Sequence, residues 1–298
     1  ITTCRTVLVG NNAGTAINHA DAIGTIAIGH SAASTLTEGV GSVVIGYQAA
    51  EIMTTADYNT IIGFQAGGFG SIGLTTSGYN TAVGYQALGA SSADEIETAG
   101  YNTCVGYQAG YELQEGGINN TLIGSGAGDS LTTGDNNVIV GKSSGISIAG
   151  AGNNVILGAN SATGAADASY IIAIGPSLNG DLTSGANHSI GIGASALNAL
   201  TSGARNIAVG YRAGTALVDD TDNTILGYDA GLKAIGSYCT YIGSKAADNV
   251  TSGQHNTAIG YNAFGNAEAD EEQNVAIGSG AMSSVQQGDG GGDADNNV

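Results

Sequence analysis

The stretch NTAVGYQAL, residues 80–88, returns along the chain as NTCVGYQAG at 102–110, NTILGYDAG at 223–231, NTAIGYNAF at 256–264 and NVAIGSGAM at 274–282. Aligned on the glycine that follows the aliphatic residue, the 298 residues hold sixteen copies. These lie at Gly10, Gly29, Gly46, Gly63, Gly84, Gly106, Gly124, Gly141, Gly158, Gly175, Gly193, Gly210, Gly227, Gly243, Gly260 and Gly278. Most intervals are 17 or 18 residues. Longer ones, of 21 and 22, flank Gly84, where GGFGSIGLTTSG and ASSADEIETAG read as loop insertions. A register that survives insertions marks a solenoid, in which each repeat contacts only its neighbours.

The columns of this alignment predict what one coil does. The residue before the glycine is Val, Ile or Leu in every copy, and the residue three before it is Thr, Val or Ile. β-Branched residues two apart on one face predict a strand. The position between them is also apolar and often small, as at Ala27, Ala82, Cys104, Ala208, Ala258 and Ala276. A strand apolar on both faces is expected to be buried on both. Three residues after the glycine, Ala or Ser fills fifteen of sixteen places, which seals the coil with small side chains. Turns of the type TSG and TTG join the segments, with Gly supplying positive φ. No window sustains a helical period with caps.

Four residues before the glycine, Asn fills ten of sixteen places: Asn59, Asn80, Asn102, Asn120, Asn137, Asn154, Asn206, Asn223, Asn256 and Asn274. Stacked coils place these in one line, predicting a ladder in which each side chain bonds its equivalent in the next coil. The residue after the glycine is aromatic at Tyr47, Phe64, Tyr85, Tyr107, Tyr211, Tyr228 and Tyr261, a column shared with Ser125, Lys142, Pro176 and Ser244. A column that accepts both Tyr and Lys belongs at the rim. Stacked rim aromatics offer CH–π contacts to glycans, or simply cover the edge of the coil.

Composition agrees with a tightly wound all-β chain. There are 51 glycines, one proline and no tryptophan, and only 10% of residues are charged. The apolar share of 42% argues against disorder. The formal net charge of −19, with six Lys and Arg, argues against nucleic acid and against anionic membranes. No apolar run approaches a membrane-spanning length. Three cysteines, Cys4, Cys104 and Cys239, have neither disulfide-framework nor zinc spacing and read as small apolar residues.

The expected architecture is therefore a single repeat domain over residues 1–298, a parallel β-roll or β-solenoid of about sixteen coils of 17–18 residues. A coil this thin has little room for both strand faces. One face is expected to fill the interior, and the other, with the small residues, to meet neighbouring copies of the chain. A closed homo-oligomer follows, with three chains the favoured closure. A monomeric solenoid with a wider core is the alternative. The final DADNNV sets Asn297 and Val298 where a seventeenth coil would begin, so the 298 residues read as part of a longer polypeptide.

The phrase NVAIGSGA, Asn274 to Ala281, resembles the N-[ST]-V-A-I-G-x-x-[SA] repeat in the heads of trimeric autotransporter adhesins of the YadA type. That resemblance implies a left-handed parallel β-roll of three chains. The aromatic-Gln variants NTAVGYQAL and NTCVGYQAG look more like shaft repeats of bacteriophage tail fibres, which often precede an intramolecular chaperone of the endosialidase type. The likeness runs from about residue 5 to residue 282. The chain departs from the adhesin pattern in its longer period and added Tyr, and these residues include no heptad stalk, anchor or chaperone domain.

No catalytic constellation is present, and no enzyme activity is expected. His19, His30, His188 and His255 lack metal spacing and sit in or beside turns. The glycines of GSGAG at 124–128 are explained by the repeat, with no helix to hold a phosphate. Clustered oxygens make calcium the one cofactor worth weighing, at Asp219, Asp220 and Asp222 and in DGGGDADN at 289–296, although neither segment fits an EF-hand loop.

Three functions follow. The leading one is a structural, host-attachment fibre: the shaft of a phage tail fibre or similar virion appendage. The second is a bacterial trimeric surface adhesin whose flank binds a cell-surface glycan or protein. The third is an ice-binding solenoid, disfavoured because the Thr column alternates with Val and Ile and is expected to be buried. Each places the protein on a virion, on a cell surface or outside the cell, with itself as first partner.

Overall fold

The computed structural model describes residues 5–17, 23–69, 72–73, 75–89, 99–164, 168–177, 185–266 and 272–283. Two compact units divide the chain, residues 1–154 and 155–298. The first holds β1 (Val7–Val9), β2 (Ile26–Ile28), β3 (Val43–Ile45), β4 (Thr60–Ile62), β5 (Gly68–Phe69), β6 (Ile72–Gly73), β7 (Thr81–Val83), β8 (Thr103–Val105), β9 (Thr121–Ile123) and β10 (Val138–Val140). The second holds β11 (Val155–Leu157), β12 (Ile172–Ile174), β13 (Ile190–Ile192), β14 (Ile207–Val209), β15 (Thr224–Leu226), β16 (Thr240–Ile242), β17 (Thr257–Ile259) and β18 (Val275–Ile277).

Each unit is a parallel β-solenoid, and no helix occurs among the described residues. Every repeat glycine follows its own three-residue strand. Pairing joins like positions in successive coils, for example Thr81 with Thr103, Ala82 with Cys104 and Val83 with Val105. The same register runs from β11 to β18. The long interval after Gly63 carries a small antiparallel hairpin, β5 with β6. The insertion before Gly106 lies mostly outside the described residues.

One coil shows how the ladder is made. Around Gly106, the Thr103 amide donates to the Asn120 carbonyl in the next coil at 2.8 Å. The Gly106 amide donates back to Val83 at 2.8 Å and the Gln108 amide to Tyr85 at 2.9 Å. The Gly110 amide donates forward to Ala127 at 3.0 Å. Bonds therefore leave both ways along the stack, and turns as well as strands are paired.

The corners need positive φ at four places per coil: five before the glycine, the glycine itself, and two and four after it. Tyr101 (62°), Gly106 (143°), Gln108 (51°) and Gly110 (61°) are one such set. Near 50–60° an L-residue is tolerated at roughly 1–2 kcal/mol, which ladder hydrogen bonds offset, so Tyr, Asn, Gln, Ser and Ala all occur there. Near 140° only Gly fits. A Cβ on Gly106 would also collide with the Gly124 carbonyl oxygen.

The core corrects the expected use of the strand faces. The small central residues point inward: Ala82, Cys104, Ala208 and Ala258 are fully buried. The β-branched residues on either side point outward and remain half-exposed or exposed, as in β7, β8, β14 and β17. The strand is thus buried on one face only. The interior is narrow because it must also hold the Ala column after the glycine (Ala87, Ala109, Ala213, Ala263) and a bulky column seven residues after it (Leu36, Met53, Leu113, Leu131, Leu200, Leu217), all buried. That second column already fills the lumen, so small residues suffice opposite it. The outward Thr column removes one of the two grounds on which an ice-binding face was disfavoured, its burial, while the irregular alternation of Thr with Val and Ile stands.

Asparagine lines the inner corner, and all ten residues of the column are buried. The ladder differs in detail from simple side-chain pairing. Each Oδ1 accepts the backbone amide of its equivalent in the next coil: Asn59 from Asn80, Asn80 from Asn102, Asn102 from Asn120, Asn120 from Asn137 and Asn137 from Asn154, at 2.8–3.0 Å. The Nδ2 groups of Asn59, Asn80, Asn102, Asn120, Asn137, Asn206 and Asn223 donate to turn carbonyls, as Asn102 to Gly117 and Asn120 to Gly134. Direct side-chain pairs join Asn120 to Asn102, Asn137 to Asn120 and Asn223 to Asn206. The second unit repeats the pattern from Asn206 to Asn223 and from Asn256 to Asn274, with Cys239 taking one place and donating its amide to Asn223.

Two measurements check this account. Asn120→Ala leaves the Asn137 amide and the Gly134 carbonyl without partners inside the wall and is expected to cost about 3 kcal/mol in denaturant melts, against under about 1 kcal/mol for exposed Asn119→Ala. Gly106→Ala is expected to cost about 3 kcal/mol or more, through backbone strain and the collision with Gly124.

Candidate functional site

The outward strand face presents side chains that the core does not use. Its floor is the pair of outward strand columns, Thr and Val in β7 and β8, Thr and Leu in β15, Thr and Ile in β17. Leu226 is 46% exposed and Ile277 66%. Parallel pairing puts like above like, so the floor is a continuous Thr and aliphatic strip within each unit.

Aromatic stacks edge the floor on both sides. After the glycine, His30, Tyr47, Phe64, Tyr85 and Tyr107 form one run, with ring centroids 5.0–5.4 Å apart and planes within 15°. In the second unit Tyr211 stacks on Tyr228 at 5.4 Å. All seven named aromatics of this column, Tyr261 included, are exposed. Along a stack the ring faces turn toward one another. A glycan lying against it meets ring edges, except at stack ends such as Tyr107 and Tyr228, whose next-coil neighbours are Ser125 and Ser244.

A second aromatic row lies five residues before the glycine: Tyr58, Tyr79 and Tyr101, spaced 5.3 and 4.9 Å, then Tyr170 on His188 and Tyr238 on His255. Sequence reasoning missed it. The column also holds Asn, Arg and Asp, so it reads as ordinary turn composition, yet the regular offset of Tyr58, Tyr79 and Tyr101 from their glycines was a usable signal. Also missed was the glutamine ladder beside the first stack. There Gln65, Gln86 and Gln108 donate in turn to Gln48, Gln65 and Gln86 at 3.0–3.1 Å.

Charge on this face is sparse, and among the described residues two ion pairs form across adjoining coils. Arg205 grips Asp222 with two bonds of 2.7 Å, and Arg212 grips Asp229 with bonds of 2.8 and 2.6 Å, each pair 17 residues apart. The two pairs flank the Tyr211–Tyr228 stack, with the Arg212 guanidinium 5.0 Å from the Tyr211 ring centre. Hydrogen bonding to Arg205 holds the Asp222 carboxyl below its ordinary range.

Both Asp222 oxygens are engaged by Arg205, Asp219 is exposed, and Asp220 is buried, accepting the Val218 amide at 3.4 Å. Among the described residues no group of three or more His, Cys, Asp or Glu is arranged to hold a metal ion. The segment 289–296 lies outside them, as do Cys4 and His19. The other three histidines are exposed. Cys104 is buried as a strand-centre residue, and burial pushes its thiol up to about 12. Cys239 is also buried and its thiol likewise raised, close to the buried Tyr241. Among the described residues no helix is long and apolar enough to cross a membrane.

Fold and face together define the chain as a parallel β-solenoid with an aliphatic outer strip edged by aromatic stacks. No family model matches it, and no curated protein matches it at a significant level.

Burial raises the Asp220 carboxyl above its ordinary range, with the nearby Asp219 charge adding to the shift. A raised folded-state value means that the native protein holds its proton more tightly than the unfolded chain. The contribution of Asp220 to stability is therefore greatest below the ordinary carboxylate range and is lost as pH rises through the raised value. Asp220→Asn is expected to raise the melting temperature by roughly 2 °C at neutral pH, a gain that vanishes in acid.

Proposed function

We propose that the chain is a shaft segment of an extracellular attachment fibre, of the kind found in phage tail fibres and similar virion appendages, and that it works as a homo-oligomer of three chains. The observation that supports this reading is the half-exposed aliphatic floor. The interior is already sealed by its own Ala and Leu columns, so the outward Val, Ile and Leu side chains are surplus to the core of a single chain. Covering what remains exposed of two such side chains contributes on the order of 1 kcal/mol per coil. Summed over many coils, this exceeds the roughly 4–15 kcal/mol that association costs, so a long stack gains by association where a short one would not.

The function needs a stiff spacer with no active site: an object that holds a receptor-binding tip away from a particle. The acidic balance, −19, keeps such a shaft soluble and self-repelling outside its specific contacts. A bacterial surface adhesin is the second reading, favoured by the exposed tyrosines at stack ends, which offer a protein or glycan receptor a ring face. The genomic reading frame separates the two. A chaperone domain downstream selects the fibre, whereas a secretion signal upstream with a coiled stalk and anchor downstream selects the adhesin.

Sedimentation equilibrium is expected to return three chain masses for the wild type. Ile45→Lys with Val140→Lys, two substitutions on the outward floor, is expected to return one chain mass with an unchanged circular dichroism spectrum. A monomeric wild type overturns the oligomer.

A further inference from the structure

We infer that the row Tyr58, Tyr79 and Tyr101 is a site of oxidative tyrosine–tyrosine coupling, at which neighbouring coils of one chain become covalently joined by a peroxidase-type one-electron oxidant. Three features carry this. The rings are in register along the stack, with centroids 5.3 Å apart for Tyr58–Tyr79 and 4.9 Å for Tyr79–Tyr101, the latter pair only 2° from parallel. In the single chain their exposures are 51%, 52% and 61%, which opens each of them to an oxidant in solution. Their backbones are fixed in the same left-handed conformation, at φ 55°, 63° and 62°, and the Tyr79 amide is tied to the Asp57 carbonyl and the Tyr101 amide to that of Gly78.

Each phenol gives up one electron to the oxidant and its hydroxyl proton to water, leaving a phenoxyl radical with spin at the ring carbons ortho to oxygen. Two radicals held side by side join through ortho carbons, forming one C–C bond. The hydrogens on those carbons then move to the oxygens and restore both phenols. For each crosslink two electrons and two protons leave the protein and reduce one hydrogen peroxide to two waters. The scaffold's part is proximity. A fixed neighbour raises effective concentration by orders of magnitude over a chance encounter between chains.

The aromatic run on the other side of the floor supplies its own control. There Phe64 separates Tyr47 from Tyr85, so Tyr47 has no phenol in either adjoining ring, whereas Tyr85 lies 5.2 Å from Tyr107. Coupling is thus expected at 58–79, 79–101 and 85–107 and at 211–228, but not at Tyr47.

The full chain is treated with horseradish peroxidase and limiting hydrogen peroxide, then followed by dityrosine fluorescence and by mass spectrometry of peptides. The expected result is intrachain dityrosine at the named pairs, no change in chain mass on a denaturing gel, and a raised melting temperature. Tyr79→Phe is expected to abolish both crosslinks of its row and leave 85–107 intact. Tyr47→Phe is expected to change nothing, and Phe64→Tyr to add crosslinks at 47–64 and 64–85. Urea-unfolded chain is expected to lose the selectivity. Dityrosine scattered over all tyrosines in the folded protein, crosslinks chiefly between chains, or an unaltered pattern in Tyr79→Phe overturns the inference.

Discussion

Every coil must find its backbone partners directly above and below, and this requirement governs the rest of the molecule. It fixes the spacing along the stack and forces each residue to sit over its counterpart one repeat away. Side chains therefore meet their own kind. Asparagine receives an amide from the next asparagine, glutamine bonds glutamine, and tyrosine lies on tyrosine. At the repeat glycine the approach is so close that no Cβ fits between Gly106 and Gly124, which is why this column does not vary while its neighbours do.

Much of the fold was legible because that requirement writes itself into the sequence as columns. The strand ending before each glycine, the small sealing residue after it and the inner asparagines all follow from repetition alone. What repetition does not encode is which strand face is inside. A period of two distinguishes the faces without orienting them, and both are apolar here. The deciding residues are Leu36, Met53, Leu113 and Leu131, which lie well past the strand and fill the lumen from the opposite wall. With that space occupied, Ala82 and Ala258 are the side chains that fit inside, and Thr and Val turn outward. Tyr241 shows the margin for variation. It is a phenol buried where most coils have a small or aliphatic residue, in a coil one residue shorter than most.

The outer face was legible in part. The aromatic column after the glycine reads plainly from Tyr85 and Tyr107. The row at Tyr79 does not, because an exposed left-handed corner accepts Tyr, His, Asn, Arg and Asp with little energetic distinction, and composition there carries little information. The Arg205–Asp222 and Arg212–Asp229 pairs were hidden for a different reason. Charges 17 residues apart mean nothing until one coil is known to lie on the next.

Those two pairs have a consequence for how the chain winds. In the column two after the glycine the order is Arg212, Asp229, Lys245, and no other coil carries a charge there. Near-identical repeats could stack with one coil looped out at little loss of backbone bonding. Omission of the aspartate-bearing coil would set Arg212 against Lys245 and strand two guanidinium groups without carboxylates. A few coils of alternating sign thus act as an address in a monotonous sequence, penalising the miswound chain more than they strengthen the correct one.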